Sequence, residues 1–203
     1  MKKIALKVMR ETLEKEINLL REKVLGQLEN KTEMIEMFVK ELLDCKGHVL
    51  TSGVGTSAFT AARFSHLLSC SGIPSIFLNP ATMLHGGSGA IKSEDVVVLI
   101  SKGGESDEMI NLARISKKRG ATVICLTERK ESSLAKESDL IVEIKVSGAD
   151  IKSTIATGSS LAFSLFLDGI CGIIVEELGY DPEKFKIIHP GGAVGKMLKG
   201  GKK

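Results

Sequence analysis

The stretch Asp95-Val96-Val97-Val98-Leu99-Ile100-Ser101-Lys102-Gly103-Gly104-Glu105-Ser106-Asp107-Glu108 decides how this chain is read. Its first half is an unbroken run of branched apolar residues with no polar residue alternating into it. A strand with one wet face would alternate, so an uninterrupted run points to a parallel sheet covered on both faces. Its second half is a turn rich in glycine and hydroxyls that leads into a helix. Four other runs repeat the scheme: His48-Val49-Leu50-Thr51-Ser52-Gly53, Ile73 to Leu78, Ala121 to Thr127, and Asp139 to Val146. Five such strands alternating with helices predict an α/β fold, a three-layer αβα sandwich on a five-stranded parallel sheet.

Before the first strand, Leu13, Ile17, Leu20, Val24 and Leu28 recur at spacings of three and four among Glu and Lys. That periodicity predicts one long amphipathic helix, followed by a second over about 31 to 44. A helix of that length with little chain to cover it is expected to bury its apolar stripe against another subunit, giving a dimer or tetramer. The 203 residues suffice for one domain: helices at 1–45, an α/β core at 46–198 and a basic tail at 199–203.

Composition narrows the partners. The 28 Lys and Arg nearly balance the 25 Asp and Glu, and there is one Tyr and no Trp, so nothing marks a nucleic-acid surface. Cys45, Cys70, Cys125 and Cys171 lie far apart in apolar stretches, as buried free thiols of a reducing compartment do, and a cytoplasmic location is expected. The charged N-terminus has no apolar core of a signal peptide. The stretch Ile155 to Val175, interrupted by Asp168, reads as a buried core helix and not a membrane span.

In a doubly wound sheet the ligand lies beyond the carboxyl ends of the strands, so residues directly after each strand carry the chemistry. After the first comes Ser52-Gly53-Val54-Gly55-Thr56-Ser57, entering a helix with Ala61, Arg63 and Leu67. Glycines let the backbone approach an anion, and the helix N-terminus offers free N–H groups and positive potential. A dinucleotide fingerprint is the rival reading, but Ala58 stands where its third glycine belongs, and no acidic residue follows Phe77-Leu78-Asn79-Pro80. The turn Ser101 to Ser106 is a second site of the same kind, and the two converge on one crevice suited to a phosphorylated small molecule held by Ser52, Gly55, Thr56, Ser57, Ser101, Gly103, Gly104 and Ser106. Glu105 and Glu108 are three apart and predict one face of a first helical turn, with Glu105 complementing the helix dipole. His48 and His66 read as structural, whereas His85 and His189 lie in segments that a ligand can reach. No His, Cys and Asp have the spacing of metal ligands, so no metal is indicated.

At these residues the chain resembles the sugar isomerase (SIS) family, whose fold is flavodoxin-like, and within it the arabinose 5-phosphate isomerase branch. The resemblance runs over about 45 to 198 and rests on Gly53 to Ser57, Ile100 to Glu108, Glu131 to Lys136 and His189 to Gly195 (His-Pro-Gly-Gly-Ala-Val-Gly), with a looser match at Ala81 to Gly86. It implies an intramolecular oxidoreductase, an aldose–ketose isomerase that interconverts a pentose phosphate aldose and its 2-ketose through an enediol, without a cofactor. It implies catalytic roles for Glu108 and His189 and a substrate-contacting role for His85, with Gly72, Ile73, Lys145, Val146 and Ser147 at further sugar contacts. It also sets four departures: Thr56 where the branch has a functional lysine, Ala149 beside Asp150 where it has a second functional glutamate, Asn79 where it has a metal-binding histidine, and Gly103 where it has a serine. The form expected is the one without paired CBS regulatory modules. The departures keep open a second reading, a non-catalytic phosphosugar sensor or carrier on the same fold.

Overall fold

The computed structural model of the chain describes residues 2–148 and 150–198; Ala149 and the expected basic tail at 199–203 lie outside the described residues. Five strands form one parallel sheet: β1 (Val49–Gly53), β2 (Ser75–Phe77), β3 (Val96–Ile100), β4 (Thr122–Thr127) and β5 (Leu140–Glu143), in the order β2-β1-β3-β4-β5. Every apolar run is therefore a strand. Successive residues of a strand point to opposite faces, so each strand feeds two cores. Val96, Val98 and Ile100 pack with Phe64, Phe163 and Ile174 on one side, while Val97 and Leu99 pack with Met109, Leu112 and Ala113 on the other.

Helices α3 (Thr32–Asp44), α4 (Thr56–Cys70) and α8 (Gly158–Leu178) cover the first face; α5 (Pro80–Leu84), α6 (Asp107–Lys118) and α7 (Ser133–Lys136) cover the second. By length and composition α8 would suit a membrane, but it packs on α3 and α4 with Phe163, Phe166, Leu167, Ile170 and Ile174 in the core. Its Asp168 takes both guanidinium nitrogens of Arg63 on α4. The apolar stretch is a core helix, as the sequence predicts. Two short helices follow it, α9 (Pro182–Ile188) and α10 (Gly192–Leu198).

The N-terminal helix departs from the periodicity. The chain runs through α1 (Lys2–Leu19), a π-helical turn over Leu20–Leu25, α2 (Gly26–Leu28) and a 3-10 turn over Glu29–Lys31 before α3. A π turn spans five residues, so Leu19 and Val24, five apart, both reach the core beside α8, where an unbroken α-helix would rotate one of them away. Leu13 and Ile17, expected on the same stripe, are 48% and 58% exposed, as are Ile4, Val8 and Met9 before them to a similar degree. The π turn thus divides the stripe into a buried half and an uncovered half. Gln27, just beyond it, pairs with the backbone of Lys145 in both directions, donating to its carbonyl and accepting from its N–H at 2.9 Å each, and so caps the chain as it leaves the edge strand β5.

Phe38 of α3 and Phe64 of α4 are fully buried with ring centroids 6.2 Å apart, and they join both helices to the sheet. Phe64→Ala is expected to destabilise the chain by about 3–5 kcal/mol, the cost of emptying a large aromatic from a packed core, measured as a shift of the urea midpoint at unchanged slope.

Candidate functional site

The strand order reverses between β1 and β3. The chain leaves β1 toward β2 on one side and returns to β3 on the other, so consecutive helices depart to opposite faces and a crevice opens above the two carboxyl ends. Gly53 is level with Ile100 in the parallel register, which brings the turns 52–57 and 101–106 out of the sheet side by side, about 4.8 Å apart at strand level. Helices α4 and α6 start from these turns on the two faces. Next to α4, α8 also begins at this edge, and a 3.0 Å hydrogen bond between Thr60 Oγ1 and Ser160 Oγ ties the two helices together near their starts.

Glycine is needed where the backbone is tightest. A Cβ on Gly53 would lie 2.6 Å from the carbonyl oxygen of Ser57, so any other residue pushes the first turn of α4 off the strand. Gly55, at φ +58°, and Gly104, at φ +67° against Ser132, take backbone conformations that L side chains rarely adopt.

The hydroxyls divide into two sets. Ser52 is buried and donates to the carbonyl of Leu78 at 2.8 Å, and Ser101 is buried and accepts from the N–H of Gly104 at 3.1 Å, so both shape the turns. Thr56, Ser57 and Ser106 are open to the crevice edge, and their hydroxyls have no partner among the described residues. Gly103 is exposed beside them.

Glu105 and Glu108 do not share a helical turn. Helix α6 begins at Asp107, with Ser106 at its N-cap, so Glu105 precedes it and accepts instead from the N–H of Ser133 at the start of α7. That hydrogen-bonding from Ser133 holds the Glu105 carboxyl below its ordinary range. Glu108 stays exposed in the first turn of α6, and His85 is exposed at the end of α5, on the same face of the sheet. Asn79 caps α5, accepting from the N–H groups of Ala81 and Thr82.

Lys145, Val146 and Ser147 follow β5, at the edge of the sheet. Val146 is fully buried and its N–H is taken by Glu128, so it is closed to a ligand in this chain, and Lys145 Nζ is engaged by the carbonyl of Glu128 at 2.9 Å and by Glu143 at 2.6 Å. Two carboxylates here were not singled out from sequence as site residues. Glu128, directly after β4, is buried and accepts from the N–H of Val146 and the hydroxyl of Ser147. Its position directly after a strand is the signal that could have found it. Asp150 is buried too: Oδ1 accepts from the N–H groups of Thr157 at 3.1 Å and Ser159 at 2.9 Å, and Oδ2 from Lys102 Nζ at 2.7 Å. Burial pushes the Asp150 carboxyl up, but the Lys102 ammonium and the Ser159 donors outweigh it and hold the group below its usual range.

The remaining candidates lie at the other end of the molecule. Helix α8 has 21 residues and is about 30 Å long, so it carries the chain from the crevice edge to the amino edge of the sheet. There Gly72, in the turn between α4 and β2, lines a cavity of about 560 Å³ with Cys70, Val175, Tyr180, Phe185 and Ile188. Ile73 is buried beside that turn, and His189 comes next after Ile188, its ring stacked on Phe185 at 5.4 Å. Within one chain, Glu108 and His85 belong to the crevice end and His189, Gly72 and Ile73 to the opposite end.

Comparison with known proteins agrees with this architecture. The SIS domain family model matches residues 41–167. Arabinose 5-phosphate isomerase KpsF of Escherichia coli is 32% identical over 158 residues, 77% of this chain and 50% of the relative. Arabinose 5-phosphate isomerase KdsD of E. coli K12 is 34% identical over 155 residues, 76% of this chain and 47% of the relative. The chain thus spans about half the length of the curated relatives it matches. Among solved structures, a candidate sugar-phosphate isomerase from Listeria monocytogenes superposes with a TM-score of 0.87 at 31% identity, covering 94% of this chain and 99% of that one. The protein c3406 of E. coli CFT073, in complex with A5P, superposes with a TM-score of 0.83 at 28% identity, covering 94% of this chain and 100% of that one. With the reversed parallel sheet, the paired glycine turns and the matched profile together, the chain belongs to the SIS domain family.

Proposed function

We propose that this chain is an aldose–ketose isomerase of a phosphorylated pentose, arabinose 5-phosphate or a close relative, that works in the cytoplasm as a homo-oligomer. The observation that carries the reading is the pair of glycine turns at β1 and β3, opening side by side at helix N-termini with three hydroxyls, Thr56, Ser57 and Ser106, that have no partner among the described residues. Such a cradle suits a phosphoryl group, and a solved structure of comparable length and shape holds A5P. The phosphoryl group fixes the sugar so that its C1 and C2 lie near Glu108 and within reach of His85.

Isomerisation removes the proton from C2 of the aldose, passes through an enediol, and returns a proton to C1 while the C2 hydroxyl becomes the ketone. A carboxylate and an imidazole can take and return these protons near neutral pH, and we assign them to Glu108 and His189. Positive potential at the start of α4, whose first turn carries no acidic residue, favours the anionic ligand. Because α8 holds His189 at the far end of its own chain, His189 acts in the crevice of another subunit. The uncovered stripe of α1, with Ile4, Val8, Met9, Leu13 and Ile17, gives that assembly an apolar surface to bury. Buried thiols fit a reducing compartment: burial pushes Cys125 up to about 11 and Cys171 up to about 12, which leaves both protonated and unreactive.

With arabinose 5-phosphate as substrate, Glu108→Gln and His189→Ala should each lower kcat by about 100-fold or more, the scale of a general acid–base group. Thr56→Ala should act mainly on binding, weakening it by about 1–3 kcal/mol for one hydrogen bond to a charged group. Exchange of the C2 proton, followed by NMR, checks the chemistry. A wild-type protein that binds pentose phosphates tightly yet exchanges no proton over hours is a sensor and not an isomerase.

Assembly has its own test. The wild type should sediment as a dimer or tetramer at micromolar concentration. Glu108→Gln and His189→Ala chains, unfolded together and refolded into mixed oligomers, should regain activity that neither shows alone, because some crevices then receive both native groups. No recovery in oligomers proven to be mixed would place His189 outside a neighbour's site.

A further inference from the structure

We propose that Lys102, positioned by Asp150, is the cation that meets the substrate's anionic charge in the crevice. The proposal rests on the phosphosugar reading above and adds a residue and a charge to it. The two turns at the strand reversal, 52–57 and 101–106, contain a single basic residue, Lys102. Their hydroxyls and amides supply donors but no formal charge, and a phosphorylated ligand is held better by a charged donor than by neutral ones.

Geometry distinguishes Lys102 from an ordinary surface lysine. Its partner Asp150 has a side chain only 4% exposed, whereas that of Lys102 is 35% exposed. The carboxylate is fixed without the lysine, since its other oxygen takes two amides at the start of α8. Asp150 is thus a peg set into the helix, and the lysine is tied to it at 2.7 Å. The backbone end is tied as well, the carbonyl of Lys102 accepting from the N–H of Glu128 at 3.0 Å and the hydroxyl of Thr127 at 3.1 Å. An ammonium has three donors, and one is used among the described residues. A cation anchored at both ends, with donors to spare and a third of its side chain open, is organised before the ligand arrives.

Arg129 and Lys130 follow β4, one strand further along the sheet, and their side chains are exposed there, whereas Arg63 and Lys145 are committed to other partners. Arg63 is paired through both terminal nitrogens with Asp168. Lys145 is held by Glu128 and Glu143 beyond β5, two strands from the reversal and so about 10 Å away.

The test measures binding of inorganic phosphate and of arabinose 5-phosphate by calorimetry at several ionic strengths. The key variant is Lys102→Met/Asp150→Asn, which removes both charges and leaves no orphaned buried carboxylate. It should melt near the wild-type temperature, bind both ligands about 10- to 100-fold more weakly, and show a flatter dependence of affinity on salt, because one screened attraction is gone. Lys102→Arg should restore affinity to within a few-fold. If the double variant does not fold, Lys102→Gln, which keeps a hydrogen bond to Asp150 without the charge, should show the same loss and the same flattening. Wild-type affinity and salt dependence in a folded variant without the charge would overturn the role of Lys102 and leave the phosphosugar reading intact. A wild-type protein that binds neither ligand would overturn both.

Discussion

A right-handed crossover between parallel strands is the constraint from which the rest of this structure follows. With the order β2-β1-β3-β4-β5, the chain moves one way from β1 to β2 and the other way in every later step. Handedness then places α4 alone on one face and α5, α6 and α7 together on the other, which is the division seen in the two apolar cores. The face with one crossover helix would be left bare. It is completed by helices from outside the crossovers, α3 before β1 and α8 after β5, and this is why α8 must be long and apolar along the side that meets the sheet. The same reversal separates the starts of α4 and α6 and so creates the crevice.

The fold was legible because its signals are local. A buried parallel strand cannot tolerate a polar alternation, so Val96 to Ile100 and the four other runs announce themselves. The turn residues Gly53, Gly55 and Gly104 were legible for a similar reason, since each answers to a contact or a dihedral angle within a few residues or at the neighbouring turn. The π turn was not legible: residues 20–25 have unremarkable helical composition, and only the presence of α8 makes it favourable to bring Leu19 and Val24 to the same side. Glu105 was misplaced because its partner, Ser133, lies 28 residues away and belongs to another helix.

Site residues were harder to place than strands because the chemistry depends on which end of the sheet a segment reaches. His85, Glu108 and His189 occur in sequence order among motifs that look equivalent, and all three follow elements where a ligand is expected. Spacing along the chain says nothing about the 30 Å that α8 inserts before His189. Lys102 and Asp150 show the converse. They are 48 residues apart and unrelated by any local pattern, yet the amide donors at the start of α8 fix one and thereby the other.

Stability and the proposed chemistry meet at the two ends of α8. Its first turn holds Asp150 and borders the crevice, while its last turns border the cavity next to His189. A helix buried along one side in the core cannot shift one end without the other, because close-packed interiors resist graded deformation. On the proposed assembly, a rigid α8 would hold the distance between the crevice that it borders and the imidazole that it delivers to a neighbour. The uncovered stripe on α1 then has a role beyond solubility: the contacts that bury it would set the register between subunits, and with it the position of an imidazole donated across the boundary. Loss of that register by an ångström would be felt in the chemistry before it was felt in the fold, since proton transfer depends on distance far more steeply than apolar burial does.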